Sequence, residues 1–230
     1  MSEEIYCFLP CRKGSERVPK KNIKPFAGYK HGLLEIKLGQ LLQCRKIDQI
    51  VLSSNDDEVL SYAESLQESR ITVHQRIDEL SSARTSTDEL IKHAYQLIPT
   101  GHILWTHVTS PFINSNIYEN IIDTYRQSLR DGFDSLFTAT ELQAFLWQDG
   151  KPINYDRTIE KWPRTQTLKP VFEINSGAFL ASASLFKEYN DRTGRNPFIY
   201  PTDKFVGHDI DWEEDFKVAE ILLQSGATRV

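Results

Sequence analysis

Short apolar runs alternate with amphipathic stretches over the first 140 or so residues of the chain. Ile5–Leu9 reads as a buried strand, and Gly32 to Arg45 sets Leu34, Leu38, Leu41 and Leu42 on one helical face. Gln49–Ser53 predicts a second strand. The oxygens of Ser54-Asn55-Asp56-Asp57 then suit the start of a helix reaching about Gln67. Ile71–His74 predicts a third strand, Asp88–Leu97 a third helix, and His102–His107 a fourth strand ended by Thr109-Ser110-Pro111. A helix capped near Asn114 or Ser115 runs on to about Leu129, with Ile117, Ile121 and Tyr125 on one side. Phe133–Thr140 is the next strand. The expected fold class is α/β, a mostly parallel sheet with helices on both faces, because parallel neighbours need a crossover and helices supply it. Such sheets take ligands beyond the carboxyl ends of their strands.

The pattern breaks between Glu141 and Phe172, where Phe145, Trp147, Tyr155 and Trp162 stand among polar residues and prolines with no helical period. An irregular surface excursion fits this composition. So does an arm that grips a partner through its aromatic side chains. Gly177–Ala181 resumes the strand pattern. With no repeat or linker to divide it, the chain reads as a single domain, 1–230, with 141–172 as an insertion.

Composition narrows the class. The chain has 230 residues, 40% hydrophobic and 26% charged, which is ordinary for a globular protein. No apolar run approaches membrane-spanning length, and Met1-Ser2-Glu3-Glu4 is unlike a secretory leader, so a cytoplasmic protein is expected. Cys7, Cys11 and Cys44 lack metal-ligand spacing and read as reduced thiols. A net charge of -5 argues against a nucleic-acid binder.

Against that acidic balance one segment stands out. Between Arg12 and Lys24 lie six basic side chains and one acid, directly behind the first apolar run. A basic, glycine-containing loop at a strand end can present N–H groups and cations to phosphates. It carries neither the P-loop nor the dinucleotide glycine pattern, and a solvated charged loop has the same composition. A second signal is His208-Asp209-Ile210-Asp211-Trp212-Glu213-Glu214-Asp215. In an extended segment Asp209 and Asp211 share a face and Ile210 turns inward. Two carboxylates completed by phosphate oxygens and water suit Mg²⁺, while turn or capping acids are the plainer alternative. Glu213, Glu214 and Asp215 fit the first turn of a terminal helix, whose positive end favours acids.

The loop resembles the opening signature of the acylneuraminate cytidylyltransferases, roughly A-R-x-x-S-x-x-x-P-x-K-N. Arg12, Ser15, Pro19, Lys21 and Asn22 fall at matching positions and Cys11 replaces the alanine. The C-terminal Ile210-Asp211 with Asp215 resembles that family's I-D-x-x-x-D element, with Asp209 two residues before Asp211. The resemblance covers essentially the whole chain. It implies a Rossmann-like nucleotidyltransferase fold in which residues 141–172 form a dimerisation arm. It also implies transfer of a cytidylyl group from CTP to an acidic 2-keto-3-deoxy sugar, with release of pyrophosphate. Arg12 and Lys21 would neutralise the triphosphate, Ser15 would hold its oxygens, and Asp209 and Asp211 would be catalytic metal ligands for Mg²⁺.

Other matches are softer. Arg76-Ile77-Asp78-Glu79-Leu80 resembles the family's R-x-x-E-L stretch, so Arg76, Asn22 and the backbone from Ser82 to Thr85 would read the base. An exposed strand-end charge is the other reading of Arg76. His107 and Val108 stand where a Gln and a Pro are common, ahead of Thr109. Pro163-Arg164 resembles the P-R of the arm, and Asn175-Ser176-Gly177-Ala178-Phe179 an N-G-A-x-Y element with Ser176 inserted. These place His107, Thr109, Asn175 and Phe179 at the sugar, and Arg164, carried on the arm, at the sugar site across the dimer interface. Glu173 stands where the sialic acid enzymes often carry an Arg, which leaves the sugar open. An eight-carbon ulosonate cytidylyltransferase is the nearest alternative, although its signature ends P-G-K. A catalytically silent nucleotide-binding subunit is the alternative from another class.

Overall fold

The computed structural model describes residues 4–15, 17–81 and 85–230. Its strands are β1 (Ile5–Cys11), β2 (Gln49–Ser54), β3 (Ile71–Gln75), β4 (His102–Trp105), β5 (Ser135–Leu142), a short hairpin of β6 (Trp147–Gln148) and β7 (Lys151–Pro152), β8 (Val171–Ser182) and β9 (Pro197–Thr202). The helices are α1 (Gly32–Gln43), α2 (Asp57–Ser65), α3 (Thr87–Leu97), α4 (Ser115–Arg130), α5 (Ala183–Tyr189) and α6 (Glu213–Gln224). A seven-stranded sheet has the order β3-β2-β1-β4-β8-β5-β9, and β8 alone runs antiparallel to its neighbours.

This is the mostly parallel, helix-covered sheet that the pattern predicts. Along β1, Cys7, Leu9 and Cys11 pack on one face with helices α1, α2, α4 and α6, while Phe8 turns to the other, under α3 and α5. The strand is buried on both sides, so it reads as a continuous apolar run rather than an alternating one. Helix α1 ends at Gln43, two residues short of the predicted end, and the fourth strand stops at Trp105 because Thr106 and His107 are already turning into the loop above it. The three cysteines are free and buried.

Two features of the sheet shape its ligand-binding end. β2 and β3 lie on one side of β1 while β4 lies on the other. The crevice where the winding direction reverses is therefore above the ends of β1 and β4. The second feature is a bulge. Phe137 pairs with Phe179 and Ala139 with Ile174, so Asn175 to Ala178 all lie opposite Thr138. The Thr138 hydroxyl donates to Asn175 Oδ1 at 2.6 Å and accepts from the Ala178 amide at 2.9 Å. A Cβ on Gly177 would come within 2.1 Å of Ile113 Cδ1 and 2.7 Å of Thr138 Oγ1, so a larger residue there would force both neighbours to shift.

The predicted insertion at 141–172 is largely irregular, with the β6–β7 hairpin and a 3₁₀ turn at Thr165–Thr167. Its aromatics cluster on one another: Phe145 packs edge-on to Tyr155 and Trp162, and Trp147 stacks on Trp162 at 6.4 Å. Arg157 lies over both indoles, and Trp162 remains 62% exposed.

Beneath the crevice sits Lys37, fully buried on α1. Its ammonium nitrogen donates to the Ser110 and Ile113 carbonyls and lies 2.8 Å from the Tyr118 hydroxyl. Gln40, one turn on, donates to the Pro111 carbonyl at 2.6 Å. Together they hold the loop after β4. Desolvation pushes the Lys37 pKa down to about 7. A lysine in the unfolded chain titrates near 10.4, so between these values the unfolded state carries the extra proton and stability rises with pH. Urea unfolding of the wild type and Lys37→Met at pH 7, 8 and 9 should show the difference moving toward the wild type. The expected slope is on the order of 1 kcal/mol per pH unit, and a constant difference would mean that Lys37 titrates normally.

Candidate active site

A cavity of about 540 Å³ opens over the ends of β1 and β4, and Arg12, Ser15, Lys21, Asn22, Arg76, His107, Thr109, Asp209 and Asp211 are on its wall. They come from four separate stretches of the chain, which the sheet topology brings together. Asn22 donates from its side chain to the Arg12 carbonyl at 3.1 Å, and the Lys13 amide donates to Asn55 Oδ1 at 2.9 Å, so the basic loop is tied at both ends. Gly14 within it takes φ +78°, a conformation open to a residue without Cβ.

Lys21 joins this loop to the opposite rim. Its ammonium donates to the Ile210 carbonyl at 2.6 Å and lies 3.6 Å from Asp211 Oδ1. Burial lowers its pKa, and Asp211 and Asp209 oppose the shift. Arg17, which matches no position of the loop signature, also reaches Asp211, at 3.3 Å, with its guanidinium 4.6 Å from the Trp212 ring centre. Ile210 is fully buried, and its amide donates to the Thr109 carbonyl at 2.9 Å. An apolar anchor thus points inward while Asp209 and Asp211 face the cavity. Asp215 accepts from the Asp211 and Trp212 amides, which makes it the start of α6, with Glu213 and Glu214 beside it.

Asp209 is the less exposed of the two carboxylates. Burial raises its pKa, and nearby Thr109 and Ser176 oppose the rise. Its Oδ1 is sealed from solvent with no hydrogen-bond partner among the described residues. A buried carboxylate oxygen left unpaired costs stability unless a cation or donor reaches it. Among the described residues no group of three or more His, Cys, Asp or Glu forms a metal cage. Two carboxylates on a phosphate-sized cavity are nonetheless the donor set that Mg²⁺ takes, because it keeps waters and substrate oxygens for its other positions. The residues present fit that ion.

Arg76 is 2% exposed, so it is not a strand-end surface charge. Its Nε donates to Ser81 Oγ at 3.0 Å, while Nη1 finds no acceptor among the described residues. It lies between the main cavity and a neighbouring one of about 650 Å³ that Lys13, Asn55 and Asp78 help to line. Ser82 to Arg84 lie outside the described residues. Thr85 donates to the Glu79 carbonyl and is not on the cavity wall.

His107 Nε2 accepts from the Trp105 indole N–H at 2.8 Å. An indole nitrogen can only donate, so the neutral ring carries its proton on Nδ1. Burial, then Arg192, holds its pKa down to about 3, and the ring is uncharged at any physiological pH.

Of the residues expected at the sugar, His107 and Thr109 line the cavity, while Asn175 and Phe179 do not. Asn175 does not reach the cavity: its amide nitrogen donates to Thr140 and Thr202, and its oxygen takes Thr138 and the Gly177 amide. Ser176 lines the cavity instead. Neighbours in a strand point to opposite faces, and a one-residue offset at the bulge exchanged their roles. Phe179 is 5% exposed in the core with Trp105 and Phe137, so it is not on the cavity wall either. Arg164 lies on the exposed insertion, away from the cavity wall of its own chain.

The sequence profile of the Cytidylyltransferase family matches residues 6–152, and the chain belongs to that family. It is 27% identical over 232 residues to a protein of Campylobacter jejuni subsp. jejuni serotype O:23/36 (strain 81-176) named pseudaminic acid cytidylyltransferase, covering 95% of each. It is 24% identical to N-acylneuraminate cytidylyltransferase B of Danio rerio, over 91% of this chain and 49% of that one. The fold is similar to a solved CMP:2-keto-3-deoxy-manno-octonic acid synthetase complexed with CTP, with TM-score 0.67 and 11% identity over 97% and 99% of the two chains. It is also similar to 4-diphosphocytidyl-2C-methyl-D-erythritol synthase from Anaerococcus prevotii DSM 20548, with TM-score 0.65, 17% identity and 96% of each chain covered. Among the described residues no helix is long and apolar enough to cross a membrane.

The unpaired Oδ1 of Asp209 generates a prediction. Asp209→Asn should raise the melting temperature in metal-free buffer by a few degrees, on the scale of about 2–4 °C per kcal/mol for a chain of this size. Millimolar Mg²⁺ should raise the melting temperature of the wild type, and the substitution should abolish that shift. A lower melting temperature with an intact Mg²⁺ response would rule out Asp209 as a ligand.

Proposed function

We propose that this cytidylyltransferase uses CTP to activate an acidic nine-carbon 2-keto-3-deoxy sugar, giving the CMP-sugar and pyrophosphate. The observation that carries this reading is the meeting of Lys21, Arg12 and Arg17 with Asp209 and Asp211 in one cavity. Cations there meet a triphosphate, and a carboxylate pair meets its counter-ion. A relative named for pseudaminic acid favours the nine-carbon class over the eight-carbon alternative.

In this mechanism the anomeric hydroxyl of the sugar attacks the α-phosphorus, the bond to the bridging oxygen breaks, pyrophosphate leaves with the electron pair, and the hydroxyl proton is released to solvent. Arg12 and Lys21 hold the phosphate oxygens and neutralise the charge that builds on them, and Ser15 and loop amides fix their direction. Arg76, its Nη1 unclaimed, offers a donor to an acceptor edge of the base, and the Asn22 amide lies nearby. Asp209 and Asp211 would hold Mg²⁺, which when bound supplies charge neutralisation at the α-phosphate. The neutral His107 and Ser176 give the acceptor sugar hydrogen-bonding partners.

The exposed indoles of residues 141–172 support a dimer in which Arg164 serves the partner's sugar site, since aromatic and Arg side chains concentrate interface energy. A dimer also accounts for an arginine that its own cavity does not use.

Thermal shift measurements with Mg²⁺ and each nucleoside triphosphate should give the largest stabilisation with CTP. Equal shifts with CTP, UTP, ATP and GTP would reduce the site to a generic phosphate binder. Lys21→Ala and Asp211→Ala should each lower turnover at least about a hundredfold while the chain still folds. Near-normal activity of Asp211→Ala, with unchanged Mg²⁺ dependence, would make that acid a capping residue. Mixing Arg164→Ala with Lys21→Ala should restore activity above either parent if sites are shared between protomers. A fully active monomer at micromolar concentration would defeat the dimer.

A further inference from the structure

Beyond the cavity wall, on the same side of the sheet as His107, the partly buried side chain of Arg192 makes no salt bridge among the described residues. Arg192 lies in the segment that joins α5 to β9, with its guanidinium carbon 3.9 Å from the centre of the Phe179 ring and 5.2 Å from that of Trp105. It is partly buried without being sealed from solvent, and that burial depresses its pKa. Neither an ion pair nor a side-chain hydrogen bond satisfies it among the described residues. The adjacent Asp191 favours the charge through space but makes no salt bridge to the guanidinium, and its Oδ1 accepts from the backbone amides of Arg192 and Thr193. The aromatic rings support the charge from one side, an interaction worth up to about 2 kcal/mol. They leave the in-plane N–H groups of the guanidinium without acceptors.

The segment is built to hold that cation in place. Helix α5 ends at Asn190 in the left-handed conformation, φ 49°. The Gly194 amide donates to Ser135 Oγ at 2.9 Å, and the Arg195 and Asn196 amides donate to Asp134 Oδ2 at 2.7 and 2.9 Å. The backbone is thus pinned to the start of β5, and the unpaired guanidinium does not rest on a loop free to move away. Its position connects it to the cavity through one short relay. Trp105, which it overlies, donates to His107, and His107 is on the wall. The charge of Arg192 is felt at that imidazole, where it is second only to desolvation in disfavouring the protonated ring. A fixed, partly desolvated cation with open donors, one relay away from the cavity wall, suits an anion from outside the chain, because a carboxylate there would offset the hydration that the guanidinium has lost.

We propose that Arg192 is a specificity-determining residue that binds the carboxylate of the acceptor sugar, positioned by the Trp105–Phe179 platform rather than by a salt bridge of its own. The proposal rests on the acidic-sugar reading of the site. It also gives Phe179 a role that its burial hides: the ring orients the cation and does not touch the sugar. A guanidinium and a carboxylate can pair through two parallel N–H···O bonds, which an amide of the same shape cannot match in charge or in acceptor count.

The test compares the nine-carbon acid that the wild type uses best with its C1 carboxamide, at saturating CTP, in the wild type, Arg192→Met and Arg192→Lys. The wild type should prefer the acid by at least tenfold in kcat/KM. In Arg192→Met the KM for the acid should rise at least tenfold, the KM for CTP should stay within twofold, and the preference for acid over amide should fall to near one. Arg192→Lys keeps the charge and should recover part of that preference, and it supplies the comparison if the methionine variant folds poorly. A substituted enzyme with weakened activity but the full preference for the acid would overturn the role of Arg192, since loss of packing does not distinguish acid from amide. A wild type that transfers to no acidic sugar, while still binding CTP, would overturn the acidic-sugar reading itself and this proposal with it.

Discussion

Lys21 spans the crevice from the N-terminal loop to the Ile210 carbonyl and the Asp211 carboxylate, across 189 residues of sequence. An ammonium group has three donors and no acceptor, so it can tie a carbonyl and a carboxylate together and still offer a proton to a ligand. Together with Arg17, which reaches the same carboxylate, that crossing brings the cationic loop onto the acidic rim. With it, opposite charges face each other over a space suited to a triphosphate and its counter-ion.

The crossing depends on rigid supports beneath it. Ile210 is buried and its amide is bound by the Thr109 carbonyl, so the acidic rim is registered against the loop after β4. That loop is in turn held from below by Lys37 and Gln40 on α1. Each polar contact is in a region shielded from water, where a satisfied hydrogen bond is stronger and an unsatisfied one more costly. The atoms left unsatisfied are therefore informative. Asp209 Oδ1 and Arg76 Nη1 are sealed and unpaired among the described residues, on residues that line the same cavity. One suits a cation and the other an acceptor. A site with such unpaired atoms on its wall sacrifices some stability to be ready for ligand.

Much of this is legible in the sequence for simple physical reasons. Strand β1 and helix α4 announce themselves through periodicity, because a buried strand needs apolar residues throughout and a helix on a sheet needs them every three or four positions. The basic loop and Asp209-Ile210-Asp211 are visible because charge concentrated against an acidic background, and alternation around a buried isoleucine, are local properties. The family signature marks Arg76, but not its burial, since nothing in Gln75-Arg76-Ile77 reveals that Ser81 and the cavity edge enclose it.

The α/β class, the cationic loop and the acidic rim are all written in neighbouring residues, and the chain order alone reveals them. Which side chains share the cavity is a matter of long-range packing. Asn175 and Ser176 exchanged places because the bulge opposite Thr138 inserts residues that no pattern counts, and a shift of one position turns a strand side chain to the other face. Arg17 and Arg192 became visible only when Asp211, Trp212, Phe179 and Trp105 were brought beside them from distant parts of the chain. Whether a charge is paired depends on what surrounds it in space, and sequence neighbours do not supply that.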